Sequence, residues 1–511
     1  MDMPERTPWE TAIEVEPKTE SERYLSRLAR LAFLSFWCYG NVHTNEGKTT
    51  DTGDGKELCD LLVVFGNHIL IFSDKHCEYP EHPDALVAWS RWYKRAIDKS
   101  VKQLLGAEKF IRDHPDRLFL DKQCTVPFPY RLPNMEEAVI HRIAVTRGSH
   151  DAAFAHWGGQ SSGSLMIDTG LAGKSEHLES PFTIGWPAGR DRFVHVLDEL
   201  TLDVLLDEFN TVPDLIAYFS EKERFLNSAR YISVPGEEEL ITLYQTRLHE
   251  GRHSLPQDIP YSNMVVLQEG NWEAFNSSAQ RAARNAANEL SYLWDHIIEY
   301  QSSFIRSAET VSVWGDEYTV DQQEELVRAL ASESRFSRRI LATALDGLLH
   351  RPVAADQQAT RRLPSPSIPG RHYVFTVMGR NTSIDYELYR EQRAKFLTTY
   401  CCGLRLHHPD TTEVIGLATE PLATEVSSQD FFYGKFPAPA TQEELDDVRE
   451  LCNELGIMQD AAMRATAFID YEFPEPITPS NPRWPSGSGN RAERRANESH
   501  QRRRKGGKRG W

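Results

Sequence analysis

A chain of 511 residues exceeds what one hydrophobic core organises, so roughly two to four domains are expected. Its 40% hydrophobic and 26% charged content is that of an ordinary globular protein, and a net charge of −18 argues against a surface that coats nucleic acid throughout. The seven cysteines, from Cys38 to Cys452, show no CxxC pair, which suits free thiols in a reducing compartment. No basic segment followed by an apolar run opens the chain, and the early apolar run Leu31 to Tyr39 is too short to span a bilayer. A cytoplasmic protein without a membrane partner is expected.

Residues 1–19 are polar and read as a disordered arm. From Glu20 to Cys38 an amphipathic helix is predicted, with Leu25, Leu28, Ala29, Ala32 and Phe36 at helical spacing and Glu22 on or beside that stripe. A strand pattern at Tyr39–Thr44 and a Gly/Thr/Asp loop precede the most informative stretch, GKELCDLLVVFGNHILIFSDK (Gly55 to Lys75). It reads as strands Leu61–Phe65 and Ile69–Ser73 around a Gly66-Asn67-His68 turn, with Asp60 at the mouth of the first and Asp74-Lys75 closing the second. A long helix from Leu86 to Arg112 carries seven Lys/Arg against two acids, with Trp89, Trp92 and Gln103 on its inward stripe. A strand at Ala138–Thr146 ends this first α/β unit, residues 20–147.

Residues 148–350 read as a largely helical middle region. It holds a short strand at Leu165–Asp168, another at Phe193–Leu197 and helices near Thr201–Glu208 and Pro213–Asn227. Two long helices follow, Trp272–Arg306 and Gln322–Leu349. The Pro/Ser-rich segment 351–370 reads as a linker. A second small α/β unit spans 371–473, with strands at Tyr373–Met378 and Glu413–Ala418. Its helices lie at Ile384–Cys402, stopped by Gly403, and from the capping box Thr441-x-x-Glu444. Residues 474–511 read as a disordered tail, and 491–511 carry nine Lys/Arg against two Glu.

An acid on one strand and an acid–lysine pair on the next are the groups that phosphodiester hydrolysis needs: oxygen ligands for a divalent cation, and a positive charge beside the attacked phosphorus. The order helix-strand-strand-strand-helix-strand, with Asp60 and then Ser73-Asp74-Lys75, resembles the PD-(D/E)xK phosphodiesterases. This is the restriction-endonuclease-like fold, and the Mrr-like branch is nearest in flavour. The resemblance covers residues 20–147. It implies a nuclease core in which Asp60 and Lys75 are catalytic, Glu22 joins from the first helix and Gln103 assists from the following one. Mg²⁺ or Mn²⁺ would be held by Asp60, Asp74 and Glu22. It further implies cleavage of DNA or RNA, with defence against foreign nucleic acid as the setting, and contact with nucleic acid through helix 86–112 and tail 491–511.

The chain departs from the family at one slot. Side chains alternate along a strand, so Ser73 shares a face with Lys75 and occupies the place of the second carboxylate, whereas Asp74 points the other way. A strand bulge that turns Asp74 inward, an oxygen from Glu22 or Glu57, or a dead site each follow from that. The alternative function is therefore a catalytically inactive scaffold. Gly159-Gln160-Ser161-Ser162-Gly163 matches G-x-S-x-G but lacks the strand-turn-helix context of a hydrolase elbow. Cys401, Cys402, His407 and His408 lack zinc spacing.

Overall fold

Thr19 sets the start of the first helix. In this computed structural model, which describes residues 19–48, 53–129, 131–307, 319–422, 428–459, 464–465 and 469–475, the Thr19 hydroxyl accepts from the Glu22 N–H at 3.1 Å. The Glu22 carboxylate accepts in turn from the Thr19 N–H at 3.4 Å, a reciprocal cap. The arm at 1–18 and the basic tail 491–511 lie outside the described residues. Helix α1 (Glu20–Phe33) buries Leu25, Leu28, Ala29 and Ala32 as the spacing predicts. It stops short of Cys38 because Leu34 takes a positive φ of 66°, and Phe36 is buried from the connection that follows.

Strands β1 (Cys38–Thr44), β2 (Lys56–Phe65) and β3 (His68–His76) form an antiparallel meander. The β2–β3 loop is the two residues Gly66-Asn67, with Gly66 at φ 59°, the positive value that a tight hairpin needs at its first position. Both strands are longer than expected, so Asp60 lies within β2 rather than at its mouth. Helices α2 (Ala85–Tyr93) and α3 (Lys99–Asp113) are joined through a π-turn at Lys94–Asp98. After the short β4 (Leu118–Phe119), β5 (Val139–Arg147) runs parallel to β3, pairing Ser73 with Ala144 and Lys75 with Thr146. The apolar runs of β2 and β3 are buried on both faces because α1 packs on β3 as well as α3.

Among the described residues the middle region carries more helix than strand, with short strands set between its helices. Helix α4 (His150–His156), β6 (Met166–Ala172), α5 (Gly173–Glu179), β7 (Thr183–Trp186) and β8 (His195–Leu197) lead into α6 (Glu199–Glu208) and α7 (Val212–Leu226). Then come β9 (Tyr231–Val234), α8 (Glu237–Gln245), the hairpin β10 (Leu248–His249) and β11 (Arg252–His253), and β12 (Met264–Val266). Strand β8 joins the first sheet, whose order is β4-β1-β2-β3-β5-β8; β10 and β11 pair with each other, and the remaining four strands build another sheet, β12-β9-β6-β7. The cap at Thr211 is as read, its hydroxyl accepting from the Asp214 N–H at 3.3 Å.

The two long helices expected next are broken. They appear as α9 (Asn271–Asn276), α10 (Ala279–Asn288) and α11 (Tyr292–Arg306), then α12 (Val320–Ala331) and α13 (Arg335–Leu349). Ser278 and Ser334 are the reason. Each accepts from the N–H three residues on, at 3.1 and 3.2 Å, and so starts a new helix.

The expected linker 351–370 contains β13 (Gln358–Pro364), paired residue for residue with β14 (Arg371–Met378). Helix α14 (Tyr386–His407) and β15 (Glu413–Thr419) follow, then β16 (Asp430–Lys435) and α15 (Gln442–Glu454), which give a third sheet, β13-β14-β15-β16. Gly403 does not stop α14. A Cβ there would lie 2.4 Å from Met458 Sδ and 3.2 Å from Cys452 Sγ, so the glycine admits neighbouring side chains. The chain is thus mixed α/β; a large apolar cluster runs from Leu25 to Leu417 through the three larger sheets, and a smaller one lies between α14 and the last of them. Among the described residues no helix is long and apolar enough to cross a membrane.

Candidate functional site

Strand pairing decides what meets what at the end of β3. The ladder runs Val63–Leu70, Leu62–Ile71, Leu61–Phe72, which places Asp60 opposite Ser73 one rung on, with both side chains on one face. That face is covered by α3. Ser73 is fully buried, its Oγ 3.1 Å from Gln103 Oε1 and 3.2 Å from Ser100 Oγ. Ser100 donates its own proton to the Ala96 carbonyl at 2.8 Å. The single proton of the Ser73 hydroxyl is therefore shared between two acceptors on α3, Ser100 Oγ and Gln103 Oε1.

Lys75, two residues along and on the same face, brings Nζ to 3.5 Å from Asp60 Oδ2. Its side chain remains 30% exposed while that of Asp60 is 4% exposed, so the ammonium sits between a buried acid and solvent. Asp60 Oδ2 also accepts from the Asp74 N–H at 2.6 Å. Burial, with smaller contributions from the charges of Glu57 and Glu22, still pushes the Asp60 carboxyl up to about 6 against the opposing pull of Lys75 and that N–H.

Asp74 does not join them. Its carboxylate is turned to the α1 side and held by Arg147 at 3.2 and 3.4 Å. The Arg147 guanidinium also lies 5.4 Å above the Tyr24 ring, and the Tyr24 hydroxyl donates to Asp203 at 2.7 Å. Burial raises the Asp74 carboxyl, and Arg147 opposes the rise. The physical reason for the split is the alternation of an unbulged strand: β3 pairs with β5 without interruption from His68 to His76. Asp74 is thus a structural ion pair, and its placement as a metal ligand is corrected.

Glu22, at the start of α1, lies within electrostatic reach of both Asp60 and Asp74. The strand end therefore carries two pairs, Asp60 with Lys75 and Ser73 with Gln103, and the charges of Glu22 and Glu57 act on Asp60. Arg147, the partner that neutralises Asp74, was not foreseen. Its only sequence signal is a cation closing an apolar strand.

Along α2 and α3, Arg91, Lys94, Arg95 and Lys99 are exposed and make no ion pair among the described residues. Lys102 and Arg112 are taken up by Asp98 and Glu108, at 3.0 and 3.1 Å, and Lys109 by Asp113. Lys99 stands one turn before Gln103, next to the site. Trp89 and Trp92 are buried and donate to the carbonyls of His177 and Cys77 at 2.5 and 2.9 Å, so they are core rather than stacking platforms.

The G-x-S-x-G segment follows α4 and precedes β6, the reverse of an elbow, and Ser161 Oγ accepts from the Gly163 N–H at 3.2 Å as part of a turn. Among the described residues, three metal-ligating side chains converge within 4.8 Å only at His141, His195 and Glu223, away from Asp60. Two of these are histidines inside apolar strand runs, a pattern the sequence shows but which the spacing of His and Cys motifs does not flag. The chain matches no protein-family model, no curated protein and no solved structure.

Proposed function

We propose that the protein is a metal-dependent phosphodiesterase acting on DNA or RNA, with its site at Asp60 and Lys75. The observation that carries this reading is the 3.5 Å approach of Lys75 Nζ to the buried Asp60 carboxylate on paired strands. The helix-strand-strand-strand-helix-strand order and the strand sequence β1-β2-β3-β5 support it, since a restriction-endonuclease-like core has these features.

The donor set suits a hard divalent cation such as Mg²⁺ or Mn²⁺. Asp60 is a desolvated carboxylate with two further acids in reach and one lysine against them, an excess of negative charge that such a cation relieves. Asp60 with Glu22 would hold it, and Glu57 is the second candidate. When bound, the ion polarises the phosphoryl oxygen and acidifies water. Lys75, its side chain 30% exposed, would steady the negative charge that develops on the phosphorus oxygens. Gln103 is held to the strand by Ser73 and would assist from α3. The exposed cations Arg91, Lys94, Arg95 and Lys99 would follow a phosphate backbone. Defence against foreign nucleic acid remains the biological setting that the resemblance suggests.

A second reading has its own observation. Ser73 stands in the slot of the second carboxylate and Asp74 is neutralised by Arg147, which suits a core that kept its shape and lost its chemistry. Incubating the protein and an Asp60→Ala/Lys75→Ala variant with plasmid and single-stranded substrates in Mg²⁺ or Mn²⁺ separates the two. The nuclease reading expects cleavage by the wild type alone. Intact substrate throughout, or equal cleavage by the variant, overturns the nuclease reading of this site.

A further inference from the structure

We propose that His141, His195 and Glu223 form a binding site for a Zn²⁺-class divalent transition ion that ties α7 to the edge of the first sheet. The three residues come from different elements, β5, β8 and α7. Glu223 Oε1 lies 3.2 Å from His141 Nδ1 and 2.9 Å from His195 Nε2, and the three ligand atoms lie within 4.8 Å of one another. Ligand bonds of about 2.0–2.2 Å around a tetrahedral ion place neighbouring donors roughly 3.3 Å apart, so the spacing needs little adjustment. Two imidazoles and one carboxylate are a borderline donor set, which selects Zn²⁺, Co²⁺ or Ni²⁺ over Mg²⁺.

The surroundings hold the ligands as such a site requires. His68 Nδ1 lies 3.2 Å from His141 Nε2, the ring nitrogen not used for the ion, and the two rings are stacked within 7° of parallel. A partner on the far nitrogen fixes both tautomer and ring orientation. His195 is fully buried, packed against Phe219 with ring centroids 4.0 Å apart, and its Nδ1 has no hydrogen-bond partner. Its one polar contact is through Nε2, the atom aimed at Glu223. The Glu223 side chain is 33% exposed, which leaves an approach for an ion from solvent and room for a water as fourth ligand.

This centre is separate from the Asp60 site. His141 pairs with Leu70 and Thr146 with Lys75, five residues along the strand, or roughly 16 Å. Its effect would be on architecture. β8 is only three residues long, and an ion shared with β5 and α7 would pin it at the sheet edge.

The test uses the full chain, stripped with a chelator and titrated with Co²⁺. The expected result is saturation at one equivalent with the intense visible absorption of a tetrahedral complex, displaced by Zn²⁺. Zn²⁺ should also raise the melting temperature by about 2–4 °C where Mg²⁺ does not. Glu223→Gln and His195→Gln should each abolish the absorption, and His68→Phe should weaken binding roughly 10–100-fold. The wild-type spectrum needs no variant to fold. If the stripped wild type shows no one-equivalent tetrahedral signal, or both ligand variants retain it, the three side chains are a hydrogen-bonded cluster and the proposal falls. Nucleic-acid cleavage in Mg²⁺ by His195→Gln reports on the Asp60 site alone, so the two readings fail separately.

Discussion

Asp60 sets a conflict between two demands on one side chain. Its carboxyl is held near 6, chiefly by burial, so ionisation at neutral pH works against folding. Asp60→Asn keeps an acceptor for the Asp74 N–H and removes the charge. It should therefore stabilise the metal-free protein at pH 7 by on the order of 1–3 kcal/mol while abolishing cleavage, measured as a higher urea midpoint together with intact substrate. Lys75→Ala should lower cleavage about 10²–10³-fold with little change in that midpoint, because its side chain is partly solvated. A residue that only packs the strand end would not separate activity from stability in this way. Ser73 and Lys75 sharing a face was legible from strand alternation alone. That Asp74 has a cation of its own was not, since Arg147 lies 73 positions away in sequence and strand pairing alone brings it near.

At the scale of elements, local patterns were read well where they belong to one segment. The capping box at Thr441, the α1 stripe and the alternation at the end of β3 all depend on neighbours in sequence. The errors came where a strong propensity hid a local stop or where a distant partner decided. The helix-favouring run from Ala282 to Leu290 hides the cap at Ser278, and the cap at Ser334 is likewise hidden within a helix-favouring stretch. Residues 358–364 look like a linker by composition and are a strand because β14 offers its edge. If Ser334 is what divides α12 from α13, Ser334→Ala should cost about 1 kcal/mol, seen as a lower thermal midpoint with unchanged far-ultraviolet dichroism. A matched change at Ser303, an exposed mid-helix serine, should cost less.

Over the whole molecule, buried acids make stability depend on pH. Glu238 accepts from Ser162 and Ser164 at 2.5 and 2.8 Å through Oε1, while Oε2 is buried with no partner. Burial foremost, and the nearby Asp198 charge, push its carboxyl up to about 7. A carboxyl raised in the folded state binds its proton more tightly there than in the unfolded chain. Its contribution is thus full below the unfolded value of about 4 and is lost as pH rises through about 7. The melting temperature should fall between pH 5 and pH 8, and Glu238→Gln should flatten that fall. The placement of β8 has a consequence for the order of events during synthesis. The partners Asp60, Lys75 and Gln103 have all left the ribosome when residue 147 emerges, but the outer edge of β5 stays open until residue 195 follows. At about 5–20 residues per second that is an interval of roughly 2–10 s, during which an incomplete sheet offers a bare strand to any neighbouring nascent chain. A fragment released at residue 147 would make that interval permanent, and self-association is the behaviour to expect of it.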